Sequence, residues 1–417
     1  MSVKWTKEQQ SVIDLRDRSI LVSAAAGSGK TAVLVERIIT MLTRQEDPLS
    51  VDELLIVTFT EAAAAEMKER IRTAIEKKAQ EDPFNEHLRQ QATLIHSASI
   101  TTIHSFCLSV IRENFHVIDM DPSFRIGEEG ELKLLERDVL QELLEEKYEK
   151  KEERFLAFAE SYASGKSDRK LEEIILRLYE FSRSCPDPEG WLADCVRACQ
   201  IHSGEELART PFFAFVREEV DHAMETAASL KDQALALCLE PDGPYMYEEM
   251  LESDMKNVER FRQAAAYSQY RQAAEQISWK KLAPNRDKAV SKDKAERVKK
   301  LRDELKKAVV FPAEQYFSQT EEEVLAGLAA CAPMMEELKD LTEAFAVRFE
   351  EKKRSRGIID YSDMEQYALR ILTEKTEDGL RPSACARVYQ EQFREVMIDE
   401  YQDSNLIQEA ILTSVSR

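Results

Sequence analysis

The chain has 417 residues, 43% of them hydrophobic, which is enough for about two or three domains with real cores. Its formal net charge of -21 excludes a surface that coats itself non-specifically with nucleic acid or an anionic membrane, so any polyanion must be held by a local patch. Seven cysteines without paired metal-ligand spacing imply reduced thiols, and no apolar run has the length to span a bilayer or the layout of a secretion signal, so the expectation is a cytoplasmic protein with no membrane partner.

Residues 1–118 alternate strand-like and helix-like patterns. "RSILVSA" (18–24) reads as a short buried strand entering a helix from Thr31, and "ELLIVTFT" (53–60) as a second strand. The second runs into "EAAAAEMKERIRTAIEKK", where Met67, Ile71 and Ile75 share a face at a spacing of four. "SASITTIHSF" (97–106) repeats the rhythm. From 119 to 345 continuous β-branched runs vanish, and apolar residues recur every three or four positions, as at Leu132, Leu135, Val139 and Leu143. "SCPDPEGW" and "EPDGPY" read as breaks between helices there. After 346 the first pattern returns, with "EVMI" as a buried strand ending in acids. The expected fold is α/β: a parallel sheet with helices on both faces (1–118 and 346–417), interrupted by a large all-helical insertion with its own core (119–345).

"LVSAAAGSGKT" has the layout of a phosphate loop, G-x-x-x-x-G-K-[ST], with Ala24 where the pattern wants glycine. Alanine is tolerated there provided the position does not need a positive φ. Ala25, Ala26, Gly27, Ser28 and Gly29 would let successive N–H groups turn inward onto phosphates, with the helix N-terminus behind them. Lys30 would reach the β and γ phosphates, and the Thr31 hydroxyl would bind Mg2+. The second half is "VMIDEYQD". Asp399, at the carboxyl end of a strand, would hold Mg2+ through water, and Glu400 would polarise an attacking water. Lys30, Asp399 and Glu400 are therefore the candidate catalytic residues.

In order along the chain, "AAAGSGKT", "VTFTEAAAAEM", "TTIHSF" and "IDEYQDSN" resemble motifs I, Ia, the following threonine-histidine motif and II of superfamily 1 DNA helicases of the UvrD/Rep type, and "WTKEQQSVI" is similar to their N-terminal glutamine motif. Within that family, "SASITTIHSFCLSVIRENF", "DPSFRIGEEGELKLLERDVL" and a long acidic helical insertion resemble the AddA type, the RecB-like helicase-nuclease component of AddAB complexes. The resemblance implies a P-loop NTPase core of RecA-like fold, ATP and Mg2+ as ligands, Gln9 as the adenine-reading residue, and an AddB-like partner. It also implies single-stranded DNA contacts from Thr58, Phe59, Thr60, Thr102 and His104, a set in which a ring face suits a base and hydroxyls or an imidazole suit phosphate. Ile103 stands where the family usually carries phenylalanine and is given no DNA role. "IDYSDM" (359–364) resembles the segment ahead of motif II, yet its acids read equally well as helix caps. In the insertion, "SWKKLAPNRDKAVSKDKAERVKKLRDELKK" (278–307) holds twelve basic against five acidic residues, and is either a duplex DNA contact or a solvated helix face.

A second RecA-like domain, an arginine finger and a nuclease carboxylate cluster do not follow motif II before Arg417, so the expectation is the N-terminal portion of a larger 3′-to-5′ helicase that works at double-strand breaks. Two other readings stay open: a fragment of a stand-alone repair helicase, and a nucleotide-binding or protein-interaction module without motor activity.

Overall fold

A computed structural model describes residues 4–25, 27–162, 167–376 and 379–417, in two compact units. The first comprises Met1–Lys150, Gly165–Trp191 and Thr342–Arg417; the second, Lys151–Ser164 and Leu192–Leu341.

The first unit begins with α1 (Lys7–Asp14), α2 (Lys30–Leu42), β1 (Leu54–Thr58), α3 (Glu61–Glu81), α4 (Glu86–Leu94), β2 (Ser99–Thr102), α5 (Ile103–Asn114), β3 (Arg125–Ile126) and α6 (Glu129–Lys150). The second unit opens with α7 (Glu153–Tyr162), and the chain is back in the first for α8 (Arg169–Arg183). It leaves again along α9 (Pro188–Arg197) into α10 (Gly204–Ala208), α11 (Pro211–Cys238), α12 (Glu248–Gln263), α13 (Tyr267–Glu275) and α14 (Lys292–Tyr316), and returns within α15 (Glu321–Ser355). The first unit closes with β4 (Ile358–Ile359), α16 (Tyr361–Leu372), β5 (Thr373–Thr376), β6 (Gly379–Pro382), α17 (Ala384–Gln392), β7 (Glu395–Ile398) and α18 (Leu406–Val415). The Pro and Gly cluster at 240–245 falls between α11 and α12, and that at 184–191 runs from the end of α8 into the first turn of α9, which starts at Pro188. Among the described residues no helix is long and apolar enough to cross a membrane.

The site is built on a parallel sheet of order β2-β1-β7. β1 is buried along its whole length, as a parallel strand covered on both faces must be. Its residues alternate between two cores: Leu55 and Val57 pack with α5, α16, α17 and α18, while Leu54 and Ile56 pack with α2, α3 and Met397 of β7. Helices thus cover both faces, as the strand-helix rhythm predicts. Met67, Ile71 and Ile75 make the buried stripe of α3, and Leu135, Val139 and Leu143 that of α6.

One expected element is absent from the sheet. Residues 18–24 form no strand; they run as an irregular segment with Leu21 78% exposed and Val22 also exposed. The apolar run at 20–22 is only three residues long before small residues take over, and with Leu21 and Val22 in solvent no burial holds it against β7. The loop is tied to the sheet through its helix instead. Arg37 of α2 is buried; its Nη1 donates to the Val12 and Leu15 carbonyls at 2.6 and 2.5 Å, and its Nη2 pairs with Glu395 of β7 at 3.2 Å.

The second unit is built of helices and holds no strand among its described residues, with an irregular stretch between α13 and α14. Its larger core gathers Phe213, Phe261, Tyr270 and Phe317, and a buried ion pair, Arg302 to Asp254 at 2.6 Å, joins α14 to α12.

Replacing Arg37 with methionine removes a donor from the Val12 carbonyl and from a half-buried carboxylate, while Arg16 still reaches the Leu15 carbonyl, so it is expected to lower unfolding stability by about 1–3 kcal/mol, read from the urea midpoint. A parent-like midpoint would show that α2 is held by its apolar face alone.

Candidate nucleotide and nucleic-acid site

The phosphate-loop residues lie at the N-terminus of α2. Gly27 and Gly29 have φ of 77° and 84°, in the left-handed region that favours glycine, and Gly29 is the N-cap of α2. Ala24 is not among the positive-φ residues, which is why the departure from the pattern there carries no backbone strain. Ala24, Ala25 and Ser28 are exposed, Ser28 N–H closing a turn on the Ala25 carbonyl at 3.2 Å; Ala26 lies outside the described residues. Lys30 curls back to donate from Nζ to the Ala24 carbonyl at 3.2 Å, and Thr31 is half-buried in the first turn of the helix. Gln9 sits against the same loop: its Nε2 donates to the Ser28 carbonyl at 3.1 Å, while its Oε1 accepts from Thr6 N–H at 2.9 Å in a capping box that fixes the start of α1.

β7 delivers the acids. Its register on β1 continues into Asp399, whose N–H donates to the Val57 carbonyl at 2.9 Å. Glu400 then takes φ 60°, ψ 48°, a left-handed conformation unusual for a side chain of this size, and caps a short turn at Tyr401–Asp403. Burial raises the Asp399 carboxyl above the ordinary carboxylate range and the Glu400 charge adds to the rise; the Glu400 backbone N–H and the Lys30 charge oppose it. The two sequence motifs, some 370 residues apart, therefore act on one another electrostatically.

The other candidates gather at the same carboxyl edge of the sheet, because the register sets Thr58 beside Thr102. Thr58 is only 2% exposed and donates its hydroxyl to the Thr60 carbonyl at 3.1 Å. Thr60 is the N-cap of α3, accepting from Ala63 N–H at 3.1 Å. Thr102 is buried too, as N-cap of α5, with its hydroxyl donating to Glu61 Oε1 at 2.9 Å. What faces solvent is Phe59, 67% exposed, with Thr60 and the partly exposed ring of His104. His104 Nε2 lies 3.2 Å from Glu365 Oε1, and its ring meets Tyr361 edge-on at 5.1 Å.

Sequence reasoning passed over Glu61 and Glu365. Glu61 accepts from both Thr102 and Ser105, which holds its carboxyl below the ordinary range and locks the starts of α3 and α5 together. An acid directly after the capping Thr60 was the only local signal; Glu365, inside an apolar-looking helix, gave none. The acids of "IDYSDM" act as caps: Asp360 and Asp363 form the capping box of α16, and both pair with buried Lys353 at 2.6 Å. In the basic segment, Lys280 pairs with Glu249, Lys294 with Glu240 and Asp242, and Lys306 lies 5.7 Å over the Trp279 ring. Lys281, Arg286, Lys288 and Lys292 are exposed.

The chain is similar to known proteins over nearly its whole length. Over 418 residues the chain is 46% identical to an ATP-dependent helicase/nuclease subunit of Lachnoclostridium phytofermentans, covering 99% of this chain and 30% of that protein. Proteins of the same name from Geobacillus thermodenitrificans and Clostridium perfringens are 44% and 43% identical, over 99% and 100% of this chain and 34% and 33% of their own lengths. The chain thus spans about a third of the length of the curated relatives it matches. Residues 5–240 and 244–417 match the family model of the UvrD/REP helicase N-terminal domain, and with nearly its whole length so matched the chain belongs to that family.

Proposed function

We propose that this chain is the ATP-binding and DNA-gripping portion of an ATP-dependent 3′-to-5′ DNA helicase of the AddA helicase/nuclease type, working with an AddB-like partner in double-strand break repair. The observation that carries the reading is the shared sheet edge: β1, β2 and β7 end together, with the acids Asp399 and Glu400, the exposed Phe59 and the partly exposed His104 at their carboxyl ends. The names of the relatives supply the helicase-nuclease class.

In this reading the N–H groups around Gly27–Thr31 and the α2 N-terminus cradle the phosphates, Lys30 leaves the Ala24 carbonyl for the β and γ phosphates, and Gln9, fixed on the Ser28 carbonyl, reads the adenine. The residues fit Mg2+: a threonine hydroxyl and a carboxylate, Asp399, whose charge is disfavoured by burial and by Glu400 and would be stabilised by a cation. Bound Mg2+ would neutralise phosphate charge and polarise the γ-phosphate. Glu400 orients water and takes its proton. Phe59 stacks on a base, His104 meets phosphate, and Thr58, Thr60 and Thr102 shape the strand ends that present them. The exposed lysines at 278–307 suit the backbone of duplex DNA, their acidic neighbours leaving only part of the charge available.

Saturating Mg2+-ATP is expected to raise the melting temperature of the chain by preferential binding to the folded state. Lys30→Ala should remove most of that shift and Glu400→Gln should keep it, since the first holds phosphate and the second only water. No shift in the parent would sink the nucleotide assignment.

For DNA, Phe59→Ala should weaken binding to single strands by about 5- to 150-fold, the range of one base stack, in fluorescence anisotropy. Parent binding should weaken steadily with added salt; a salt-independent affinity would mean that phosphates are not being contacted.

A further inference from the structure

We propose that Glu365 is a positioning residue for the nucleic-acid contact: its buried carboxylate holds the His104 ring by Nε2 and is itself anchored by Gln408, in the helix that follows the Asp399–Glu400 pair. The inference rests on the reading of His104 as a DNA contact.

Glu365 is 5% exposed on α16, a position where a carboxylate must be satisfied by hydrogen bonds. Its Oε1 accepts from Gln408 Nε2 at 2.6 Å and faces His104 Nε2 at 3.2 Å. A carboxylate facing Nε2 makes that nitrogen a donor and orients the ring, and Nδ1 donates to a phosphate oxygen when it too carries a proton. Tyr361, four residues earlier on α16, packs edge-on against the same ring and limits its rotation. Gln408 is in turn fixed at the start of α18, where its N–H donates to the Asn405 side chain at 2.9 Å. The next residue, Glu409, accepts from the Tyr401 hydroxyl at 3.1 Å, and Tyr401 directly follows Glu400. Glu365 therefore stands between the turn that carries the hydrolytic acid and the ring that meets DNA. A packing role alone would not require the His104 bond; it would require only that α16 stay folded.

The test uses the whole 417-residue chain with a fluorescein-labelled oligothymidylate and, in parallel, the Mg2+-ATP melting shift. Glu365→Gln is nearly isosteric but can turn an amide N–H toward the ring; it should weaken DNA binding by about three- to ten-fold with the ATP shift unchanged. Glu365→Asp, which keeps an acceptor, should recover part of the loss. The decisive reading is the cycle with His104→Ala: Glu365→Gln should cost nothing further in that background. An equal loss with and without the histidine, or parent affinity in Glu365→Gln, overturns the proposal. Should Glu365→Gln fail to fold, Gln408→Leu removes the anchor and keeps the carboxylate, and its loss must also vanish in the His104→Ala background. If His104→Ala alone binds like the parent, the DNA reading of His104 has failed; if it loses affinity while Glu365→Gln does not, only the positioning role has failed.

Discussion

The register of three parallel strands is the constraint on which the rest depends. Pairing Val57 with Ile398 and Thr58 with Thr102 brings the ends of β1, β2 and β7 to one level, so residues from positions near 60, 100 and 400 share one edge. The register has little freedom to slip. Alternate residues of β1 enter two different cores, and a shift by one would exchange Leu55 and Val57 with Leu54 and Ile56 against helices shaped for the other set. Arg37 extends the constraint to the phosphate loop by tying α2 to the first residue of β7. The loop residues themselves lie outside the sheet, so their placement relative to Asp399 runs through that helix.

Next to that edge lies a second device, made of buried charge. Lys353 is 1% exposed, yet it pairs with Asp360 and Asp363, lies 4.3 Å over the Phe349 ring, and shares Asp363 with Arg183 of α8 at 3.2 Å. Burying these charges is expensive and their mutual attraction does little more than offset it, so net stability is a poor account of why they are there. Position is a better one. Asp360 and Asp363 are the N-terminal cap of α16, and fixing that first turn fixes where Tyr361 and Glu365 meet His104.

Those two layers differ in how far they can be read from sequence. β1 was legible because five apolar or β-branched residues stand together between turn signals, and α3 because Met67, Ile71 and Ile75 repeat at helical spacing. The segment 18–24 carries a similar but shorter signal and forms no strand, since a strand also needs a partner edge and cover on its faces, which no local pattern encodes. Lys30, Asp399 and Glu400 could be named from motif context. The roles of the threonines were less visible: Thr58 and Thr102 look like hydroxyls offered to a ligand, yet each is buried and bonded within the fold. Glu365 was not legible at all, because its meaning arises from His104 and Gln408, 261 and 43 residues away in a chain with no periodic relation among them.

The left-handed backbone at Glu400 decides how two adjacent acids lie at the end of β7. Along a strand successive side chains point to opposite faces, so Asp399 and Glu400 in a continuous β7 would act in different places. The strand stops one residue earlier. Asp399 still completes the ladder through its bond to the Val57 carbonyl, and Glu400 then turns the chain into the Tyr401–Asp403 turn. A left-handed conformation costs about 1–3 kcal/mol in a non-glycine residue and persists only where its surroundings enforce it. Here they do: the ladder bond holds one side of Glu400, and the Tyr401 hydroxyl, bonded to Glu409 on α18, holds the other. Glycine would relieve the strain but supply no carboxylate. The strained geometry is therefore the means by which Glu400 keeps its charge next to Asp399, close enough to raise that carboxyl, instead of on the far face of the sheet.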